Sequence, residues 1–205
     1  MTPTLVIFVK APIAGRVKTR LAKDLGAGRA AAIYRRLSAN TIAQAAKGKW
    51  RTVLAVDPVS ALRGYGNLWP GRVLRIAQGR GDLGERMQRV FGRSDIGPVV
   101  IIGSDAPGMR ARHIRAAFKA LEGADAVFGP ATDGGYWLIG FARRRGWRPK
   151  FDGVRWSSAS ALDDTVNCLK PGTRIVRLEM LADVDDAHDL ARAGPFALFR
   201  SLTQS

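Results

Sequence analysis

The chain has 205 residues, 46% of them hydrophobic, one cysteine, and 33 lysines and arginines against 17 acidic residues, a formal charge of +16. That length allows one domain with a substantial core, expected to span 1–205, while the lone Cys168 rules out a disulfide framework or a cysteine metal cluster. No apolar run approaches the roughly 20 residues of a membrane span, and the charge raises two classes of partner, nucleic acids and small polyanions such as nucleotides.

Residues 4–9 read as a short buried strand with no basic segment before it, so no signal peptide is expected and the cytoplasm is the default location. The strand runs into Lys10-Ala11-Pro12-Ile13-Ala14-Gly15-Arg16-Val17-Lys18-Thr19-Arg20, a loop with four cations. Gly15 lets backbone amides approach a ligand, and the helix start that follows offers N–H groups to an anion. Lys10, Arg16, Lys18 and Arg20 supply positive charge for a diphosphate, arginine with two-pronged contact. The Walker A spacing is absent, so this is a different kind of phosphate loop.

An alanine-rich stretch over residues 28–47 has helical periodicity, and residues 52–56 form a second strand that Asp57-Pro58 stops. A third strand over 72–77 leads into a glycine loop, 78–84, where Asp82 and Glu85 have capping-box spacing for a helix through about Phe91. Gly79-Arg80-Gly81-Asp82-Leu83-Gly84 also fits the dinucleotide fingerprint, with Asp105 about where a ribose-binding acid would fall. The preceding strand is short and interrupted by arginine, and a carboxylate inside the loop would face the pyrophosphate, which disfavours that reading.

The segment Pro98-Val99-Val100-Ile101-Ile102-Gly103-Ser104-Asp105-Ala106-Pro107 carries most information. An unbroken apolar run reads as a strand buried on both faces of a parallel sheet, and Asp105 follows its carboxyl end, where open α/β sheets bind ligands. A carboxylate there suits a divalent cation held against a phosphate. A helix over about 110–121 follows, then strands over 124–129 and 135–140 around Thr132-Asp133-Gly134. Gly134, Gly135 and Tyr136 beside Asp133 suit a surface for a sugar ring or acceptor; the competing reading is a plain Asp-Gly hairpin. A helix from Ser157 to about Leu169, a strand over 173–178 and a terminal helix capped by Asp185 complete the chain. Asp183-Val184-Asp185-Asp186 brings three carboxylates together, one of them a candidate second metal ligand. His113 reads as a surface residue. Strands alternating with helices argue a three-layer α/β/α architecture with a mainly parallel, Rossmann-like sheet.

In sum, these stretches resemble the bacterial glycosyltransferase-like family called selenodomain-associated transferase 1, which is similar to 2-phospholactate guanylyltransferase and to the GT-A nucleotide-diphospho-sugar transferases. The matching residues are Lys10-x-Pro12-x-x-Gly15-x-x-Lys18-Thr19-Arg20-Leu21, Gln78-Gly-x-Gly81-Asp82-Leu83-Gly84-x-Arg86-Met87, Gly103-Ser104-Asp105-x-Pro107, Gly129-Pro130-Ala131-x-Asp133-Gly134-Gly135-Tyr136-x-Leu138-Ile139-Gly140 and Trp156-Ser157. The resemblance implies a GT-A-like fold with nucleotide in its N-terminal half. Lys10, Arg16, Lys18 and Arg20 would meet phosphates, Gln78 and Gly81 the nucleobase, and Asp105 would hold Mg2+ or Mn2+. The family's late Asp-Val-Asp-Thr-Pro-x-Asp-Leu stands here as Asp183-Val184-Asp185-Asp186-Ala187-His188-Asp189-Leu190, without the Thr-Pro turn, with Asp185 as the second metal ligand. The implied activity is metal-dependent glycosyl transfer from a nucleotide-diphospho-sugar, Asp105 and Asp133 being catalytic and Trp156 near the sugar or acceptor. Nucleotidyl transfer with release of pyrophosphate is the alternative. The partner implied is a nucleotide-activated small molecule rather than a nucleic acid or a membrane, since the basic residues are scattered and lack interleaved aromatics.

Overall fold

Alternating apolar strands and amphipathic helices close into one seven-stranded sheet with helices on both faces. The computed structural model describes residues 2–64, 68–70, 73–93, 97–143 and 149–199. In chain order the elements are β1 (Thr4–Lys10), α1 (Thr19–Leu25), α2 (Ala27–Ala45), β2 (Arg51–Asp57), β3 (Leu74–Ala77), α3 (Leu83–Arg93) and β4 (Val99–Ile102). Then come α4 (Ala111–Ala120), β5 (Ala126–Pro130), β6 (Tyr136–Phe141), α5 (Ala161–Asn167), β7 (Ile175–Arg177) and α6 (Ala187–Phe199). The expected elements are all present with shifted ends. The helix expected from Ser157 starts at Ala161, because Ser157 itself has a left-handed backbone, φ 59°. Arg72, at the start of the expected third strand, lies outside the described residues, as do Arg144 and Arg145.

Strand order is β3-β2-β1-β4-β6-β5-β7, parallel throughout except that β6 runs against both β4 and β5. Both faces of the central strands are buried, which is why they read as continuous apolar runs rather than alternating ones. Leu5, Ile7, Val100 and Ile102 face α2 and α4, packing with Ile42 and Ile114. Val6, Val99, Ile101 and Phe141 face α3 and α5, packing with Met87, Phe91 and Leu162. Fully burying such a side chain is worth about 1.5–3 kcal/mol, so this two-sided core sets the sheet before any loop is considered.

The topology places the site. The chain leaves β1 toward β2 and β3, then returns to add β4 on the other side of β1. Loops after β1 and β4 therefore diverge and open a crevice at the sheet's carboxyl edge, where open α/β sheets take ligands. The glycine loop instead follows β3, an edge strand, and β4 with Asp105 is not its neighbour, so the dinucleotide geometry is absent. Its glycines have a local reason: Gly79 and Gly81 stand at φ 88° and 99°, a backbone region that strains any residue with a Cβ. The capping box is formed as expected, Asp82 N–H to Glu85 Oε2 at 2.9 Å and Glu85 N–H to Asp82 Oδ1 at 2.8 Å.

Two expectations fail locally. Asp185 does not cap α6; the Asp186 carboxylate accepts the Asp189 N–H at 2.9 Å, and this leaves Asp185 available to the crevice. His113 is buried rather than on the surface, its Nδ1 accepting the Arg110 N–H at 3.1 Å and its Nε2 3.1 Å from Glu179 Oε2.

Candidate functional site

A cleft of about 660 Å³ opens at this edge, lined by Lys10, Lys18, Arg20, Gln78, Gly81, Arg86, Ser104, Asp105, Trp156 and Asp185 among others. Each wall comes from a different strand end. β1 delivers Lys10, whose backbone N–H donates to the buried Tyr34 hydroxyl at 2.8 Å; that hydroxyl is 2.9 Å from Ser104 Oγ. One phenol on α2 thus ties the end of β1 to the loop after β4. Burial raises the Tyr34 pKa, so the hydroxyl stays protonated.

Gln78 closes the floor. Its amide donates to Val9 O at 3.1 Å and Ala55 O at 2.9 Å, satisfying two carbonyls at the ends of β1 and β2. Arg86 donates from Nε to Gly81 O at 2.9 Å and lies 3.4 Å from Gln78 Oε1, and Arg89 donates to Gln78 O at 2.7 Å. The glycine loop is therefore strapped by two arginines of α3. Arg86 belongs to the matching pattern but had no role read from it.

The charged centre is a triad. Lys18, in the loop before α1, has a left-handed backbone (φ 48°, ψ 50°), and its Nζ lies 2.8 Å from Asp105 Oδ2 and 2.7 Å from Asp185 Oδ1. Burial by itself favours the neutral amine, but Asp105 and Asp185 outweigh it and hold the lysine pKa above its ordinary value. Arg20 adds a looser contact, 3.7 Å from Asp185 Oδ2. Carboxylate oxygens of Asp133, Asp183 and Asp185 lie within 4.8 Å of one another. Burial first, and then Asp185, Asp105 and Asp133, push the Asp183 pKa up to about 6. Asp133, Asp183 and Asp185 offer the carboxylate oxygens that a hard divalent cation takes, and Asp105 meets the same centre through Lys18.

Of the residues expected at the site, the structure brings Lys10, Lys18, Arg20, Gln78, Gly81, Asp105, Trp156 and Asp185 to one cleft. Gly15 and Arg16 are exposed beyond its lining residues, Gly15 with φ 78° in the turn that re-aims the loop. Asp133 and Gly134 form a hairpin turn between β5 and β6, and Asp133 still reaches the acid cluster. Gly135 donates its N–H to Asp133 Oδ1 at 2.8 Å. Tyr136 does not line the cleft: its ring packs edge-on to Phe128 and its hydroxyl is 3.4 Å from Thr165 Oγ1. It sits on a strand with little solvent side, next to an apolar cavity of about 90 Å³. Tyr34 and the role of Ser104 are what sequence reasoning missed, whereas Asp183 stood among the three late carboxylates it had singled out. A lone tyrosine on an alanine-rich helix was the one available signal.

Sheet order, crevice and acid–base triad together define a protein of the nucleotide-diphospho-sugar transferase-like fold. Residues 40–158 match a bacterial family described as "Uncharacterized protein conserved in bacteria (DUF2064)", and the chain belongs to that family. A candidate nucleotide-diphospho-sugar transferase from Desulfovibrio desulfuricans G20 is 30% identical, with 98% of this chain and 95% of that one aligned at a TM-score of 0.83. Rv0371c of Mycobacterium tuberculosis H37Rv, solved in complex with manganese, is 18% identical over 98% of this chain and all (100%) of that one, TM-score 0.50. The 4-diphosphocytidyl-2C-methyl-D-erythritol synthase of Anaerococcus prevotii DSM 20548 shares the fold at 10% identity over 95% and 96% of the two chains, TM-score 0.57. A search of curated proteins finds no significant match. Among the described residues no helix is long and apolar enough to cross a membrane.

Proposed function

We propose that the protein is a metal-assisted transferase that uses a nucleotide-activated substrate, most directly a glycosyltransferase with a nucleotide-diphospho-sugar donor. One observation carries this reading: Lys18, Asp105 and Asp185 meet within ion-pair distance at the mouth of the cleft where the sheet's connections diverge. Lys10, Lys18 and Arg20, with Gly15 and Arg16 behind them, would receive the phosphates, and Gln78 and Gly81 would lie beside the nucleobase. Asp105 and Asp185, with Asp183 beside them, would hold Mg2+ or Mn2+, which when bound neutralises charge on the leaving diphosphate. The acceptor hydroxyl attacks the anomeric carbon as the bond from that carbon to the phosphate oxygen breaks. The nucleoside diphosphate leaves, and the acceptor proton passes to Asp133. Trp156 would flank the sugar. The family relative from Desulfovibrio and the resemblance to selenodomain-associated transferase 1 support this reading.

Nucleotidyl transfer is the second reading. The cations of the first loop would serve a triphosphate as well as a diphosphate, and the fold is shared with the Anaerococcus diphosphocytidyl synthase and with an inositol-1-phosphate CTP transferase of T. maritima. A thermal-shift screen of nucleotides and nucleotide sugars with and without Mn2+ tests both, since ligands that bind only the native state raise its stability. The expected result is a manganese-dependent shift by a nucleotide sugar that disappears in a folded Asp105→Ala variant. Release of nucleoside diphosphate then selects glycosyl transfer, and release of pyrophosphate selects the second reading. A folded wild type that binds no nucleotide with or without Mn2+ ends both.

A further inference from the structure

The position of Lys18 is unusual for a side chain meant only to meet a ligand. Its ammonium is already spent on two carboxylates, at 2.8 and 2.7 Å, drawn from residues 87 and 167 positions further along the chain. The Lys18 side chain is only 6% exposed, while the Asp105 and Asp185 side chains keep 35% and 37%. The left-handed backbone at Lys18 and the buried Val17 and Leu21 on either side fix that placement. A magnesium ion bound by the same two oxygens would lie about 2.1 Å from each, in the space the ammonium nitrogen occupies. The two cations exclude one another by volume and by charge.

We propose that Lys18 is an internal counter-ion that keeps a divalent cation from the Asp105–Asp185 position until a nucleotide's phosphate draws its ammonium away, so that cation and nucleotide are admitted together. This rests on the transferase reading in assuming that the two acids take a divalent cation. Without nucleotide, a cation entering the pair must strip the ammonium of both its partners and leave it buried beside a second positive charge. With a phosphate present the ammonium exchanges carboxylate oxygens for phosphate oxygens, and the penalty disappears. By linkage, the cation raises nucleotide affinity by the factor by which the nucleotide raises cation affinity. Lys18 sets the part of that factor which phosphate ligation of the metal does not.

Manganese alone is the probe. Its free-ion EPR signal is titrated against nucleotide-free wild type and against Lys18→Met and Lys18→Gln, with melting temperature followed in parallel. Both variants should bind Mn2+ at least about tenfold more tightly than wild type, and their melting temperatures should rise with the ion where that of wild type barely moves. Equal affinity in wild type and variants overturns the proposal. If neither variant folds, wild-type crystals soaked in manganese alone decide. An anomalous map without manganese between Asp105 and Asp185 is expected; manganese there, or on Asp133, Asp183 and Asp185 with Lys18 still paired, overturns the proposal. Failure of the transferase reading looks different, because nucleotides then leave the protein unbound while the manganese titrations keep their order.

Discussion

At the scale of single residues, the polar atoms that matter are those with more than one partner. The Tyr34 hydroxyl serves both Lys10 N–H and Ser104 Oγ from a buried position, so Tyr34→Phe strands two groups at once. It should cost about 1–3 kcal/mol, read from the urea midpoint, because buried donors left unmet lose their full desolvation cost. His113 gives a pH signature. Its burial, then Arg112, holds the imidazole pKa below its ordinary 6.5, with Glu179 opposing. The folded ring resists protonation because Nδ1 accepts the Arg110 N–H, while the unfolded chain takes up a proton more readily, near pH 6.5. Protons at His113 therefore favour the unfolded state, and its contribution to stability falls as pH drops below about 6.5, while Asp183, held up to about 6 in the fold, contributes with the opposite sign. His113→Gln should flatten that fall in parallel urea titrations; an unchanged slope would remove His113 from the account.

Elements show where sequence stopped being informative. Apolar runs, the capping box at Asp82 and Glu85, and a carboxylate just past β4 were all legible, because each is a local pattern with a local cause. Direction was not: β6 runs antiparallel, and an apolar strand buried on both faces looks the same either way. Nor was the choice between neighbours. Asp185 and Asp186 are equivalent as letters, and only the backbone path into α6 decides that Asp186 caps while Asp185 meets Lys18. Asp186→Ala should accordingly cost about 1 kcal/mol of thermal or urea stability through its lost cap. Asp185→Asn should instead abolish any manganese-dependent nucleotide shift. The β5–β6 hairpin offers a sharper case. Gly134 has φ 85°, and a Cβ there would lie 2.1 Å from Ala159 O. Gly134→Ala should destabilise by about 2 kcal/mol or more in the same urea assay, as a left-handed turn and a backbone clash combine.

For the whole molecule, the excess of positive charge is a field rather than a motif. Its residues are spread along the chain, which is why composition alone left nucleic acids and nucleotides both open and only the scatter of the charge spoke against nucleic acid. Self-repulsion of a net charge of +16 weakens the compact state, and salt screens it over a Debye length of about 10 Å at 0.1 M. Melting temperature should therefore rise between about 10 and about 150 mM NaCl, while affinity for any anionic ligand falls over the same range. A melting temperature that drops with salt would mean that attractive pairs such as Lys18 with its two acids dominate the balance.

The triad also binds distant stretches of polypeptide into one knot. Lys18 stands near the start, Asp105 at the middle and Asp185 near the finish, and the Val184 N–H is fastened to Asp105 O at 3.2 Å. Whatever settles among these three side chains grips both extremities simultaneously. Amide exchange should accordingly slow on ligation in the segments around Lys18, Asp105 and Asp185 together, although 87 and 167 positions separate the last two from the first.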